Sequence, residues 1–132
     1  MSKQRLILVV DDDEAGRTPL VIRLRRNGYE VAEAEDGEAG FRLASERRPD
    51  VIISDLDMPR KNGQQMAQEI RAKIPGVEIP IIFLSGGYLS HSKEELSDYT
   101  LHCLDKPLEW DVLIATLNFI FAAADAREKK TK

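Results

Sequence analysis

The sequence predicts a single α/β domain built on one parallel sheet. Three observations carry this. Short continuous runs of branched apolar residues recur along the chain, each run breaks off at a polar residue, and the stretches between runs repeat apolar residues at helical spacing. A run of roughly four to eight apolar residues fits a strand buried on both faces, whereas a strand with one wet face would alternate. Strand and helix in alternation then select parallel strands joined by right-handed crossovers.

The elements follow in order. Leu6-Ile7-Leu8-Val9-Val10 is the first strand and stops at Asp11. The first helix carries Leu20, Val21 and Leu24, with Arg23, Arg25 and Arg26 opposite, and stops at Asn27-Gly28. Its start is contested. Thr18-Pro19 reads as a cap followed by a first-turn proline, yet the loop after the first strand would end near Glu14. An early start with a distortion at Pro19 is expected. Tyr29 to Ala34 is a weaker strand. Gly37 to Arg47 presents Ala39, Phe41, Leu43 and Ala44 at helical spacing and ends before Pro49. Val51-Ile52-Ile53 is a strand that stops at Ser54-Asp55. Gln64 to Lys73 repeats Met66, Ala67 and Ile70, with Ile74 next in line, and Pro75-Gly76 closes it.

Ile79 to Leu84 forms the next strand, ahead of Ser85-Gly86-Gly87. Ser92 to Tyr99 reads as a short polar helix with Leu96 as its one strongly apolar residue. Leu101 to Leu104 is a strand suited to a sheet edge. Glu109 to about Arg127 places Trp110, Leu113, Ile114, Leu117, Ile120, Phe121 and Ala124 on one stripe. Phe119 points roughly opposite that stripe, beside Val112 and Ala123. This second face is a candidate docking patch or seat of a weak homodimer. Residues 127–132 hold four basic side chains and read as a frayed, solvated tail.

Composition narrows the function classes. At 132 residues, 42% of them apolar, the chain buries enough surface for one core without disulfides or a structural metal. A single cysteine, Cys103, excludes a disulfide scaffold and suits a reducing compartment. It reads as a small buried hydrophobe in the edge strand. Nineteen Lys+Arg against 23 Asp+Glu give a net charge of −4, so no positive field draws the protein onto nucleic acid. The five-residue apolar run before Asp11 is too short for a signal peptide or a membrane span. A small cytoplasmic protein is expected.

The chemistry collects at strand ends. In an open parallel sheet, ligands sit outside the carboxyl ends of the strands. Four strands here finish in Asp11-Asp12, Asp55, Ser85 and Lys106. Any one of these is most simply a cap or a turn residue, but four on one rim make a site. Two carboxylates about 4 Å apart at an effective dielectric near 20 repel by about 4 kcal/mol. Asp11, Asp12 and Asp55 must therefore shift their ionisation or recruit a cation. Hard oxygens without His91 or His102 nearby favour Mg²⁺ (or Mn²⁺) over zinc. Mg²⁺ commonly bridges to phosphate, for which Lys106 supplies a compact charge and Ser85 a hydroxyl donor.

In LILVVDDDE (Leu6 to Glu14), VIISDLDMPRKNG (Val51 to Gly63), IIFLSGG (Ile81 to Gly87) and LDKPLEW (Leu104 to Trp110), in this order and spacing, the chain resembles the receiver domains of two-component response regulators. The resemblance covers residues 1–126. It implies a flavodoxin-like (βα)₅ three-layer sandwich with strand order 2-1-3-4-5. It also implies that Asp55 accepts a phosphoryl group as a 4-aspartylphosphate, and that Asp11, Asp12, Asp55 and the backbone carbonyl of Asp57 hold Mg²⁺. Ser85 matches the family's switch hydroxyl and Lys106 its lysine, with a cis Lys106-Pro107 bond. The implied partner is a sensor histidine kinase or a histidine phosphotransfer protein, and the implied role is a signalling module in a phosphorelay, not an enzyme.

Some positions depart from the family pattern. Cys103 stands where an aromatic switch residue is usual, which removes the usual hydroxyl–ring coupling. Residues 88–100 lack the Gly-Ala turn that typically precedes the fifth strand. Asp57 and Gly87 would flank the path of a water attacking the phosphate, so measurable autodephosphorylation is expected. No output domain fits after the last helix, so the chain is expected to act by touching another protein. Two other readings compete. Asp55-Leu56-Asp57 resembles the DxD of haloacid-dehalogenase-like phosphatases, although the acidic cluster here comes first in the chain. A degenerate receiver that binds partners without phosphorylation is the other.

Overall fold

The computed structural model describes residues 4–56, 58, 61–74, 78–86 and 101–130. Within them the order is β1 (Leu6–Val10), α1 (Glu14–Arg26), β2 (Glu30–Ala34), α2 (Gly37–Arg47), β3 (Val51–Asp55), α3 (Gly63–Lys73), β4 (Ile81–Ser85), β5 (Leu101–Asp105) and α4 (Trp110–Lys130). The expected helix at Ser92 to Tyr99 lies outside the described residues.

All strands pair in parallel in one sheet of order β2-β1-β3-β4-β5. The period of two along a strand sorts its side chains into two cores. Leu6, Leu8 and Val10 of β1 join Ile52, Phe83, Ala44, Met66, Ala67 and Ile70 on the side covered by α2 and α3. Ile7 and Val9 join Ile53, Ile82, Val21, Leu24, Leu113, Leu117 and Ile120 under α1 and α4. β1 and β3 are buried throughout, β1 as its unbroken apolar run requires and β3 down to its polar end at Ser54 and Asp55. The result is a three-layer sandwich with the expected strand order.

Asp13 settles the start of α1. Its side chain accepts from the Ala15 amide at 3.1 Å, so the helix begins at Glu14 and runs through Pro19. The early cap outweighs the later Thr18-Pro19 pair, because Pro19 forfeits one intrahelical donor in a helix of 13 residues. At the other end of the chain, the expected fraying from residue 127 does not occur, since α4 continues to Lys130. Arg, Glu and Lys are good helix formers, and basic residues at a helix C-terminus complement its dipole. Arg127 and Glu128 are exposed, as a solvated end requires.

Cys103 is exposed rather than buried. It lies on β5, the outermost strand, in register with Phe83, and so faces the side where α3 covers the inner strands. A strand at the edge has a neighbour on one flank only, and its side chains lose cover accordingly. Partial burial of the thiol and the Asp105 carboxylate both push its ionisation up, leaving it poorly reactive. No helix among the described residues is long and apolar enough to cross a membrane.

Candidate functional site

The carboxyl ends of β1 and β3 lie side by side, since Val10 pairs with Ser54. Asp11 follows β1 and Asp55 ends β3, so the pairing brings their side chains to one rim. One carboxylate oxygen each from Asp11, Asp12 and Asp55 falls within 4.8 Å of the other two. Asp11 and Asp55 are each only 7% exposed, while Asp12 faces solvent.

Lys106 completes the rim. Its Nζ stands 3.3 Å from Asp55 Oδ1. The backbone delivers it there, because the Lys106 amide donates to the Ser85 carbonyl at 2.8 Å, one residue beyond the β4–β5 ladder. The Lys106-Pro107 peptide is cis, as the resemblance implied. Ser85 closes β4 one residue past Leu84, the partner of Asp55, and is half-buried. Asp11, Asp12, Asp55, Ser85 and Lys106 therefore share one end of the sheet. Asp57 and Gly87 lie outside the described residues.

Burial raises the Asp11 carboxyl above the usual carboxylate range. The Asp55 and Asp12 charges push the same way, while the Asp13 amide, donating to Asp11 Oδ1 at 2.9 Å, and the Lys106 ammonium push it back. Two acidic neighbours and one ammonium leave a deficit of positive charge. A hard cation would relieve it.

Arg17, Gly63 and Asp13 support the site; of these, the sequence pointed to Gly63, as the last residue of the VIISDLDMPRKNG motif. The Arg17 Nη1 donates to the Asp11 carbonyl at 2.6 Å while its Nε donates to Glu33 at 3.1 Å, which pins the turn after β1. Gly63 opens α3 directly beneath the Asp55 backbone, where a Cβ would stand 2.7 Å from its carbonyl oxygen. Asp13 caps α1 and holds Asp11 through its amide. Arg17 lies one turn after Asp13, the residue that caps α1. His102 stays away from the cluster and packs edge-on against Phe119, ring centroids 6.0 Å apart.

A single parallel sheet with a carboxylate cluster and a lysine beyond its strand ends is the arrangement that the receiver resemblance implied. Residues 7–118 match the response regulator receiver domain, and the chain belongs to that family. It is 32% identical to the sensor histidine kinase RcsC of Salmonella typhimurium over 128 residues, covering 96% of this chain but 13% of that protein. It is 31% identical to PilH of Pseudomonas aeruginosa over 121 residues, covering 88% of this chain and 97% of that one. Its fold is similar to that of the Vibrio cholerae chemotaxis protein CheY4, with a TM-score of 0.81, 31% identity, and 89% and 99% of the two chains covered. Phosphorylation and magnesium dependence are general properties of this family.

Proposed function

We propose that Asp55 accepts a phosphoryl group from a phosphohistidine, and that the chain signals through the surface this modification alters. The partner in the transfer is a sensor histidine kinase or a histidine phosphotransfer protein. What most supports this reading is the placement of Asp55. Its buried carboxylate is held 3.3 Å from the Lys106 ammonium and within 4.8 Å of two further carboxylates.

The chemistry of these residues is simple. An Asp55 oxygen forms a bond to phosphorus as the phosphorus–nitrogen bond of the donor breaks, and the leaving imidazole takes up a proton. The Lys106 ammonium pairs with negative charge on the transferring group, and the Ser85 hydroxyl donates to one of its oxygens. Burial of Asp55 keeps water from screening these contacts. Asp11, Asp12 and Asp55 fit a divalent cation, because the donors are all hard oxygens with neither nitrogen nor sulfur among them; the Asp57 carbonyl would be a fourth ligand. Mg²⁺ (or Mn²⁺) bound there would neutralise phosphoryl oxygen charge. Once phosphate is attached, the pull on Ser85 biases the segment that follows β4 and thereby changes what the protein binds.

The test uses a small-molecule phosphodonor with Mg²⁺ and follows incorporation of phosphate. Wild type is expected to form a hydroxylamine-labile acyl phosphate, and Asp55→Asn to form none. An Asp55→Asn protein that labels like wild type sinks the acceptor assignment.

A further inference from the structure

We infer, on the reading of Asp11, Asp12 and Asp55 as cation ligands, that Arg17 is a positioning residue for the divalent cation. It acts by fixing the peptide that joins Asp11 to Asp12. The Arg17 Nη1 donates to the Asp11 carbonyl at 2.6 Å. That carbonyl belongs to the peptide between the two acidic residues, and a peptide is planar. Holding its oxygen fixes the plane, and with it the directions in which both side chains leave the backbone. Asp11 is also held from its other side. Its amide donates to the Ala34 carbonyl at 3.1 Å, and its Oδ1 accepts from the Asp13 amide at 2.9 Å.

Arg17 is itself anchored by the residue before Ala34, since its Nε donates to Glu33 Oε1 at 3.1 Å. Glu33, Arg17, Asp11 and Ala34 thus close a ring that ties α1 to the end of β2 through the turn bearing the ligands. The other Glu33 oxygen, Oε2, lies 3.9 Å from Arg25 Nη2, so α1 steadies Glu33 from two of its turns. An ordinary surface ion pair contributes little. Arg17 differs from one, because its side chain is only 13% exposed and its fork is shared between a carboxylate and a backbone oxygen. A lysine ammonium has no such fork. The sign of the charge argues the same way. A guanidinium beside the cluster opposes a bound cation, and the Glu33 carboxylate offsets it, so the pair supplies geometry rather than attraction. Groups that orient metal ligands from behind are typically worth about 10–100-fold in metal affinity.

Calorimetric titration of the folded, unphosphorylated protein with Mg²⁺ alone tests this, whether or not Asp55 accepts phosphate. Arg17→Gln removes a positive charge, so charge by itself predicts tighter binding. A role in stability only predicts an unchanged affinity in folded protein. Positioning predicts weaker binding, by about tenfold. Arg17→Lys keeps the charge without the fork and is expected to bind more weakly than wild type as well. Glu33→Gln is expected to weaken Mg²⁺ too, and to cost little more when added to Arg17→Gln, because Glu33 acts through Arg17. Phosphate labelling of Arg17→Gln should lag at limiting Mg²⁺ and reach the wild-type rate at saturation. Either Arg17 variant binding Mg²⁺ as tightly as wild type, or a labelling deficit that saturation does not repair, overturns the role of Arg17 and leaves the cation ligands standing. Fully additive losses in the double variant overturn the anchoring by Glu33. Wild type that takes up no Mg²⁺ overturns the ligands and Arg17 together. Arg17→Lys and Glu33→Gln carry the comparison if Arg17→Gln does not fold.

Discussion

A methyl group at position 63 would meet the Asp55 carbonyl oxygen at 2.7 Å and the Phe83 ring at 2.8 Å. Phe83 is fully buried and Asp55 ends a buried strand, so neither can withdraw cheaply. Gly63→Ala is expected to destabilise the fold by roughly 1–3 kcal/mol, the usual cost of overpacking. A thermal melt checks that loss. Because the strain falls on the strand end that carries Asp55, phosphate labelling should also slow in protein that remains folded. In the sequence Gly63 stood only as the last residue of the VIISDLDMPRKNG motif. Its steric role comes from Phe83, a partner 20 residues away that no local pattern names. Arg17 was hidden for the same reason, since its value lies in the carbonyl it reaches rather than in its neighbours along the chain.

Elements were far easier to read than contacts. β1 and α2 have the bounds that apolar runs and breakers indicated, Leu6–Val10 and Gly37–Arg47. Helix starts depended on caps. Asn62 accepts from the Gln65 amide at 2.8 Å, and the Gln65 side chain accepts from the Asn62 amide at 3.0 Å, a complete capping box at the head of α3. Asn62→Ala should cost about 1 kcal/mol. A urea titration would show a lower midpoint with an unchanged slope, and an unaltered midpoint would mean that α3 is held by its buried face alone. The early start expected for α1 is observed, whereas the fraying expected of α4 from residue 127 needed correction, and both concern competing end signals. Such signals differ by about 1 kcal/mol, and small local terms decide between them.

The molecule as a whole carries an electrostatic liability at one end of its sheet. The Asp11 carboxyl titrates above its unfolded value, so between the two values the native state holds a proton that the unfolded chain has lost. Stability contributed by this group is therefore full at low pH. It declines as pH rises through that window and stays lower at neutral pH. In metal-free solution at neutral pH, Asp11→Asn should raise the unfolding temperature, because the amide removes a buried repulsion with Asp55 and Asp12. Added Mg²⁺ should raise it for wild type and much less for the variant, since ligand binding to the native state stabilises by mass action. Calorimetry at two pH values with and without Mg²⁺ checks both signs. A variant that melts below wild type without metal would mean that the Asp13 amide contact outweighs the repulsion.

The sequence by itself determined the strands, the helices and the identity of the polar residues waiting at the strand ends, because those signals are carried by residues within a turn or a strand length of one another. Recurring apolar runs made the sheet parallel, and the receiver resemblance implied its order. Only the tertiary structure decided the rest. It brought Asp11 and Asp12 within reach of Asp55, set Lys106 3.3 Å from the acceptor candidate, and left Cys103 in the open on an edge strand. Those facts depend on which strand lies beside which and at what register. Pairing joins segments tens of residues apart, and the geometry it creates has no counterpart in the spacing of residues along the chain.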